Sequence, residues 1–589
     1  MKQFFKFLFA SMLGFLVGIF LLILIGAGIL STLINSGSNH EVSLKEHSIL
    51  ELNLDYMIPE RSYNSLSNVF ELLNDNGSSQ PGLKEILKAI HSAEKSDKID
   101  GIYLPLSFSP NSYATLEEIR NALIDFKKSG KFILSYGEMA EEHAYYMASV
   151  SDSIYLNPAG ELLFNGFSYS TVYVKEMLNK LGVETQLIRH GKFKAAGEPF
   201  VADRMSDENR EQIRQFMGGI YNHFIQQIAK ARKKSIQEVQ DISNQLKIRS
   251  VQDALQLGMI DGIRYTDEVM LELGQRSHKK DKKDPILVSV NDVNDAISTT
   301  SYSVKNKIAV IYASGDIVSG KGDDETVGSE TICKALAKAR KDSSIKAVVL
   351  RINSPGGSAL ASDVIHREVM LTRKQKPVIA SMGAVAASGG YYIAAPATRI
   401  FVEPNAITGS IGVFGMTLNA EKLLREKLGL RFEKVNFGEF ADMGSVDRAL
   451  TPQETAIIQQ MIDRIYMDFI TKVATGRNMR IETVDSLAQG RVWSGTDALH
   501  LKLADEAGGI EDAIAFAAKL AGLGKEYRII SLPEQKEPLQ EMLKNISKRA
   551  ELYYIKSYLG IDYPHVVRAK EMLKYQGIQA RMMWNTEIH

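Results

Sequence analysis

The stretch YYMASVSDSIYLNP (residues 145–158) returns as YYIAAPATRIFVEP (391–404), at a constant offset of 246. At the same offset Ile99-Asp100-Gly101-Ile102-Tyr103-Leu104 falls on Ile345-Lys346-Ala347-Val348-Val349-Leu350. With one residue of slippage GKFKAAG (191–197) falls on GEFADMG (438–444). Further on, Ile220-Tyr221 with Phe224-Ile225 matches Ile465-Tyr466 with Phe469-Ile470, and Asp253-Ala254-Leu255 matches Asp497-Ala498-Leu499. The chain is therefore read as two copies of one unit. Within the second copy, Ile332, Leu336 and Ala339 share a helical face and lead into IKAVVLRI (345–352), a buried strand. VIAS (378–381) and RIFVEP (399–404) follow as further strands. Short apolar strands alternating with helices predict an α/β fold with largely parallel sheets.

The duplication sets the organisation. An apolar run, FLFASMLGFLVGIFLLILIGAGILSTLI (7–34), contains no charge and exceeds the roughly 20 residues that span a bilayer core as helix. It also exceeds the about 7–15-residue core of a cleaved signal peptide, the competing reading. Lys2 and Lys6 precede it and no Lys or Arg follows until Lys45, which places the N-terminus in the cytoplasm and the remainder outside it. Residues 1–40 thus read as a cytoplasmic N-terminus and anchor, and 46–273 as the first repeat, opening on a strand at Ile49 to Leu54. Residues 274–306 begin with the charged GQRSHKKDKKDP and read as a linker or crossover. The second repeat, 307–525, opens on KIAVIYASGDIV (307–318), read as one buried strand. Residues 526–589 read as a helical tail, with Leu539, Met542, Leu543 and Ile546 at helical spacing and a Tyr- and Met-rich end suited to packing on a neighbouring subunit.

Composition excludes several classes. Seventy basic and seventy acidic residues leave no net charge, which argues against a nucleic-acid partner. A single cysteine, Cys333, cannot form an internal disulfide or a Cys-rich zinc site, and there is neither a Cys/His cluster nor an HExxH motif.

The two copies differ where chemistry would sit. The second has Ser388 in AASGGYY where the first has Glu142; the first has Lys194 where the second has Ala441. Ser388 follows a strand and opens a helix of small residues, where unpaired N–H groups and the helix dipole favour negative charge. Taken alone, such a serine reads as a helix N-cap. RINSPGGSA (351–359) follows a buried strand, and the turn at Pro355-Gly356-Gly357 can aim backbone N–H groups into a cleft as an oxyanion hole. The first copy has SFSPN (107–111) there and lacks the double glycine. Lys194 qualifies as a general base for a serine only if burial lowers its pKa, and Phe193, Ala195, Ala196 and Phe200 supply apolar neighbours. Taken alone it reads as a surface charge, as Lys192 does. Ser410 in AITGSIGVFG offers a hydroxyl to orient a base. A Ser-His-Asp arrangement through His366 and Asp363 is disfavoured, because three residues apart on one helix they read as surface neighbours.

The motifs NSPGGS, VAASGGYYIA, ITGSIGVFG and GKFKAAGEPF together resemble signal peptide peptidase A in its long, two-repeat, membrane-anchored form, along nearly the whole chain. The resemblance implies a ClpP/crotonase-like fold in each repeat. It implies Ser388 as nucleophile, Lys194 as general base, Ser410 as the hydroxyl that bonds the lysine, and an oxyanion hole of Gly356 or Gly357 with Gly389. It further implies a homotetramer on the periplasmic side of a bacterial inner membrane, held by a single span. The implied substrates are apolar signal peptide remnants, cleaved through an acyl-enzyme with no cofactor and no metal. The competing readings are a crotonase-like acyl hydrolase or transferase, for example on a CoA thioester, and a catalytically silent scaffold that binds apolar peptides.

Overall fold

The computed structural model describes residues 3–4, 6–7, 9–21, 44–62, 80–277, 284–296, 304–323, 325–524, 526–534 and 577–582. Residues 9–21 are helical, and among the described residues no helix is long and apolar enough to cross a membrane. The second half of the expected span lies outside the described residues, as does the expected tail helix at 539–546.

Three sheets organise the chain. The first holds six parallel strands in the order Gly262–Ile263, Ser153–Leu162, Phe132–Ala140, Ile99–Leu106, Ser48–Glu51 and Ile286–Val288. The second repeats that pattern around Val378–Ala387, flanked by Ile345–Ser354, Lys307–Ser314 and Arg528–Leu532 on one side and by Arg399–Val402 and Ile407–Gly409 on the other. Buried runs such as Val348, Val349 and Leu350, all at 0% exposure, show why these strands read as continuously apolar: both sheet faces are covered. One hydrophobic core joins Leu50, Ile102 and Leu116 of the first repeat to Val310, Val349 and Phe401 of the second, so the repeats share an interior.

The third sheet is mixed, a departure from the expected parallel arrangement. Its order is Thr326–Gly328, Asp316–Val318, Gly356–Ser358, Gly577–Arg581, Val413–Asn419 and Glu184–His190. It takes strands from both repeats and from the C-terminal segment. The stretch 307–318, expected as one strand, is two. It turns at Gly315 (φ 94°) and passes from the second sheet to the third. The next strand does the same at Pro355, so the expected glycine turn is a short strand, Gly356–Ser358. Part of the expected linker is structural too. Ile286–Val288 closes the first sheet, and the helix Val290–Ala296 packs on Leu83–Lys95, with Asn294 Nδ2 donating to Glu85 O at 2.9 Å. The tail, expected to be helical, contributes Arg528–Leu532 to the second sheet and Gly577–Arg581 to the third.

Candidate active site

Ser388 and Ser410 are brought side by side by strand register. Val378–Ala387 and Ile407–Gly409 run parallel with Ala387 opposite Gly409, so each serine is the first residue past its strand's carboxyl end. Crevices at such strand ends are where α/β sheets place ligands. Both serines hold positive φ, 54° and 49°, a conformation that costs a non-glycine residue about 1–3 kcal/mol and recurs at functional sites. The backbone fixes them there: Ser388 N donates to Gly409 O (2.8 Å) and Ser410 N to Arg491 O (2.6 Å). Ser388 stands at the N-cap of the helix Gly389–Ala394, but its side chain makes no capping bond. Its hydroxyl instead donates to Gly412 O at 3.5 Å.

Lys194 arrives from the other repeat. Glu184–His190 pairs antiparallel with Val413–Asn419 through His190 opposite Val413, and the loop that follows turns back beneath the serines. The loop is tied down by Phe193 N to Gln489 O (2.9 Å) and by Gln212 Nε2 to Phe193 O (3.0 Å). The lysine lies on a floor of two glycines. A Cβ at Gly490 would stand 2.6 Å from Lys194 Cβ, and one at Gly412 would stand 3.2 Å from Lys194 Cδ. Gly412 lies within the ITGSIGVFG motif but has no role assigned there, and Gly490 lies outside every motif. Ala441, the counterpart position in the second repeat, is exposed, and so is Lys192.

At its tip Lys194 Nζ lies 2.8 Å from Ser388 Oγ, 3.0 Å from Ser410 Oγ and 3.0 Å from Ser410 O. The side chain is 1% exposed and makes no ion pair among the described residues. Burial alone pulls its pKa well below the usual 10.5, because an ammonium in this surrounding has lost water without gaining a counter-charge. An amine whose charged form is disfavoured, set beside a buried serine hydroxyl, can accept that hydroxyl's proton.

Gly389 opens the helix after Ser388, and Gly356 packs against it: a Cβ on Gly356 would sit 2.6 Å from Gly389 N. Gly356 N–H donates to Ser354 Oγ at 3.2 Å. His366 and Asp363 belong elsewhere. Asp363 joins Tyr392 Oη (3.1 Å) and Lys472, and His366 meets the Tyr392 ring edge-on. Burial pushes His366 down to about 4, so it is an uncharged packing residue. In the first repeat, Glu142 holds the position of Ser388 and accepts backbone bonds from Asn165 N (2.8 Å) and Gly166 N (3.0 Å), which makes it a structural plug.

The sequence profile of peptidase family S49 matches residues 125–282 and again 370–524, and that of Clp protease matches 300–409. Protease 4 of Haemophilus influenzae is 32% identical over 91% of this chain and 90% of its own length. The chloroplastic serine protease SPPA of Arabidopsis thaliana is 33% identical over 86% of this chain and 74% of its own length. Protease 4 of Salmonella typhi is 34% identical over 85% and 82%.

Proposed function

Because the chain belongs to peptidase family S49 and is a serine protease, we propose that Ser388 is its nucleophile and Lys194 its general base, on a site that neither repeat forms alone. The observation that carries this reading is the fully buried Lys194 amine, its ammonium form disfavoured by burial, lying 2.8 Å from Ser388 Oγ. Ser388 Oγ attacks the scissile carbonyl carbon while its proton passes to Lys194 Nζ. Of the three glycines Gly356, Gly357 and Gly389, the oxyanion is met by the backbone N–H groups of Gly389 and Gly357, since the Gly356 N–H is already bonded to Ser354 Oγ. When the C–N bond breaks, Lys194 hands the proton to the departing amine. Water then takes the acyl group from Ser388 by the same route reversed. Ser410, bonded to Nζ through both its hydroxyl and its carbonyl, aims the amine.

We further propose that the substrates are apolar peptides such as signal peptide remnants, and that the run at 7–34 anchors the enzyme in the bacterial inner membrane with both repeats in the periplasm. An anchored protease meets peptides that partition into the same bilayer. A homotetramer is proposed with it: Val435 and Phe437, 82% and 99% exposed, are apolar surface of the kind that subunits bury. A CoA thioester fits poorly with a catalytic unit outside the cytoplasm. The test is hydrolysis of an apolar peptide by the parent, Ser388→Ala and Lys194→Ala. All three should fold and both variants should lose hydrolysis. Retained activity in Lys194→Ala contradicts the cross-repeat pair, and an intact-mass measurement of the membrane fraction checks the retained anchor.

A further inference from the structure

The groove beside Ser388 is filled by the chain's own C-terminal strand. Gly577–Arg581 pairs antiparallel with Val413–Asn419 on one side, Gln579 opposite Phe414, and with Gly356–Ser358 on the other, Ala580 opposite Gly357. Met582 N extends the ladder to Pro355 O at 2.8 Å. Without this strand both neighbours would present open edges, the arrangement by which sheets bind extended peptides.

The seat of each residue is specific. A Cβ on Gly356 would stand 2.1 Å from the Ala580 carbonyl oxygen, and one on Gly389 would stand 3.1 Å from it. A Cβ at Gly356 would collide with that carbonyl and one at Gly389 would crowd it, and both glycines line the proposed oxyanion hole. The Ala580 side chain is 0% exposed, so the space beside it is sized for a methyl group. Arg581 reaches across the Gly356–Ser358 strand, and its guanidinium lies 2.8 Å from Asp316 Oδ1 on the Asp316–Val318 strand beyond it. Met582 is buried and lines a small cavity of about 50 Å³ together with Phe193, Ile407, Ser410 and Val492.

We infer that Gly356, Gly389 and Asp316 form a specificity site that reads a small residue followed by a basic one in an extended peptide, and that residues 577–582 occupy it as the chain's own ligand. This rests on Ser388 as the nucleophile. In a substrate so seated, Ser388 Oγ bonds to the carbonyl carbon of the small residue. The bond to the basic residue's nitrogen breaks, Lys194 delivers the hydroxyl proton to that nitrogen, and water releases the small residue as a new C-terminus. The tail competes with any added peptide, which raises the apparent KM for all peptides alike and leaves ratios between them intact.

The experiment uses the full-length protein and two synthetic peptides, YQGIQARMMW (the sequence of residues 575–584) and the same peptide with Gln in place of Arg. Cleavage is mapped by mass spectrometry beside an apolar reference peptide. The parent should cut the first peptide at the Ala–Arg bond, with kcat/KM about tenfold above the Gln peptide, the scale of one lost charged hydrogen bond. In Asp316→Asn that ratio should collapse to about one. Equal rates in the parent, an unchanged ratio in Asp316→Asn or cleavage at another bond overturns the inference, and the parent's ratio decides the matter even if the variant fails to fold. The two readings fail separately. Cleavage of the reference peptide that persists in Ser388→Ala sinks the nucleophile, whereas Ser388-dependent cleavage that ignores the Arg/Gln change sinks this inference alone.

Discussion

Two buried cations cross between the repeats, and they are treated in opposite ways. Arg351, from the second repeat, is 0% exposed and meets two carboxylates of the first: Nε donates to Glu60 at 2.7 Å and an η nitrogen to Glu118. Those carboxylates keep it charged. The crowding of acids around it instead drives Glu403 well above the usual carboxylate range, through burial first and then the charges of Glu118, Glu117 and Asp512. Lys194, from the first repeat, is 1% exposed and meets only serine oxygens. With no counter-charge, burial pulls its pKa well below the usual 10.5. A paired buried cation fastens two domains; an unpaired one becomes a base. Arg is suited to the first task because it does not deprotonate, and Lys to the second because it does.

The largest expected effect breaks the catalytic half of this comparison. Lys194→Ala should lower kcat/KM by about 10²–10⁴-fold, the usual range for a general base, with the far-ultraviolet spectrum unchanged. The structural half should break differently. Arg351→Met leaves Glu60 and Glu118 buried without their partner and should cost about 3–5 kcal/mol of stability, read by denaturant titration. Ser410→Ala should cost roughly tenfold in kcat/KM, since one hydrogen bond to the amine is lost. It also sharpens the comparison through pH. Activity requires neutral Lys194, so kcat/KM should rise as pH climbs through a pKa well below 10.5. The Ser410 oxygens accept from Nζ and favour its charged form, so Ser410→Ala should move that limb to lower pH. The smallest effect is on stability. Folding lowers the Lys194 pKa well below the 10.5 of the unfolded chain, so between the two values folding releases a proton and stability rises with pH. Lys194→Met should therefore melt higher than the parent at neutral pH, with the gap narrowing as pH approaches 10.5.

Much of this was legible in the sequence because the chain carries its own control. Glu142 against Ser388 and Lys194 against Ala441 mark where one repeat lost what the other kept, and register brings the two retained groups together. Local patterns also placed the strands around Ile345–Ser354 and Val378–Ala387. What stayed hidden depends on partners far apart in the chain. The Glu60–Arg351 pair spans 291 residues, and no periodicity announces it. Gly412 and Gly490 matter only through how closely Lys194 approaches them. The strand Gly577–Arg581 is a strand because Val413–Asn419 and Gly356–Ser358 leave a slot for it, whereas its neighbours in sequence read as helical tail. The break at Gly315 was masked because the apolar residues 308–313 before it and Ile317-Val318 after it read as one strand.

The central claim is that one serine and one lysine from different repeats form a single reactive pair. Its most direct measurement is covalent labelling by a serine-directed fluorophosphonate, followed by intact-mass and peptide mapping in the parent, Ser388→Ala and Lys194→Ala. The account predicts one adduct per chain on Ser388 in the parent, none in Ser388→Ala, and labelling slowed by at least about 10²-fold in Lys194→Ala. Labelling of Lys194→Ala at the parent's rate, or an adduct on another residue, would contradict it.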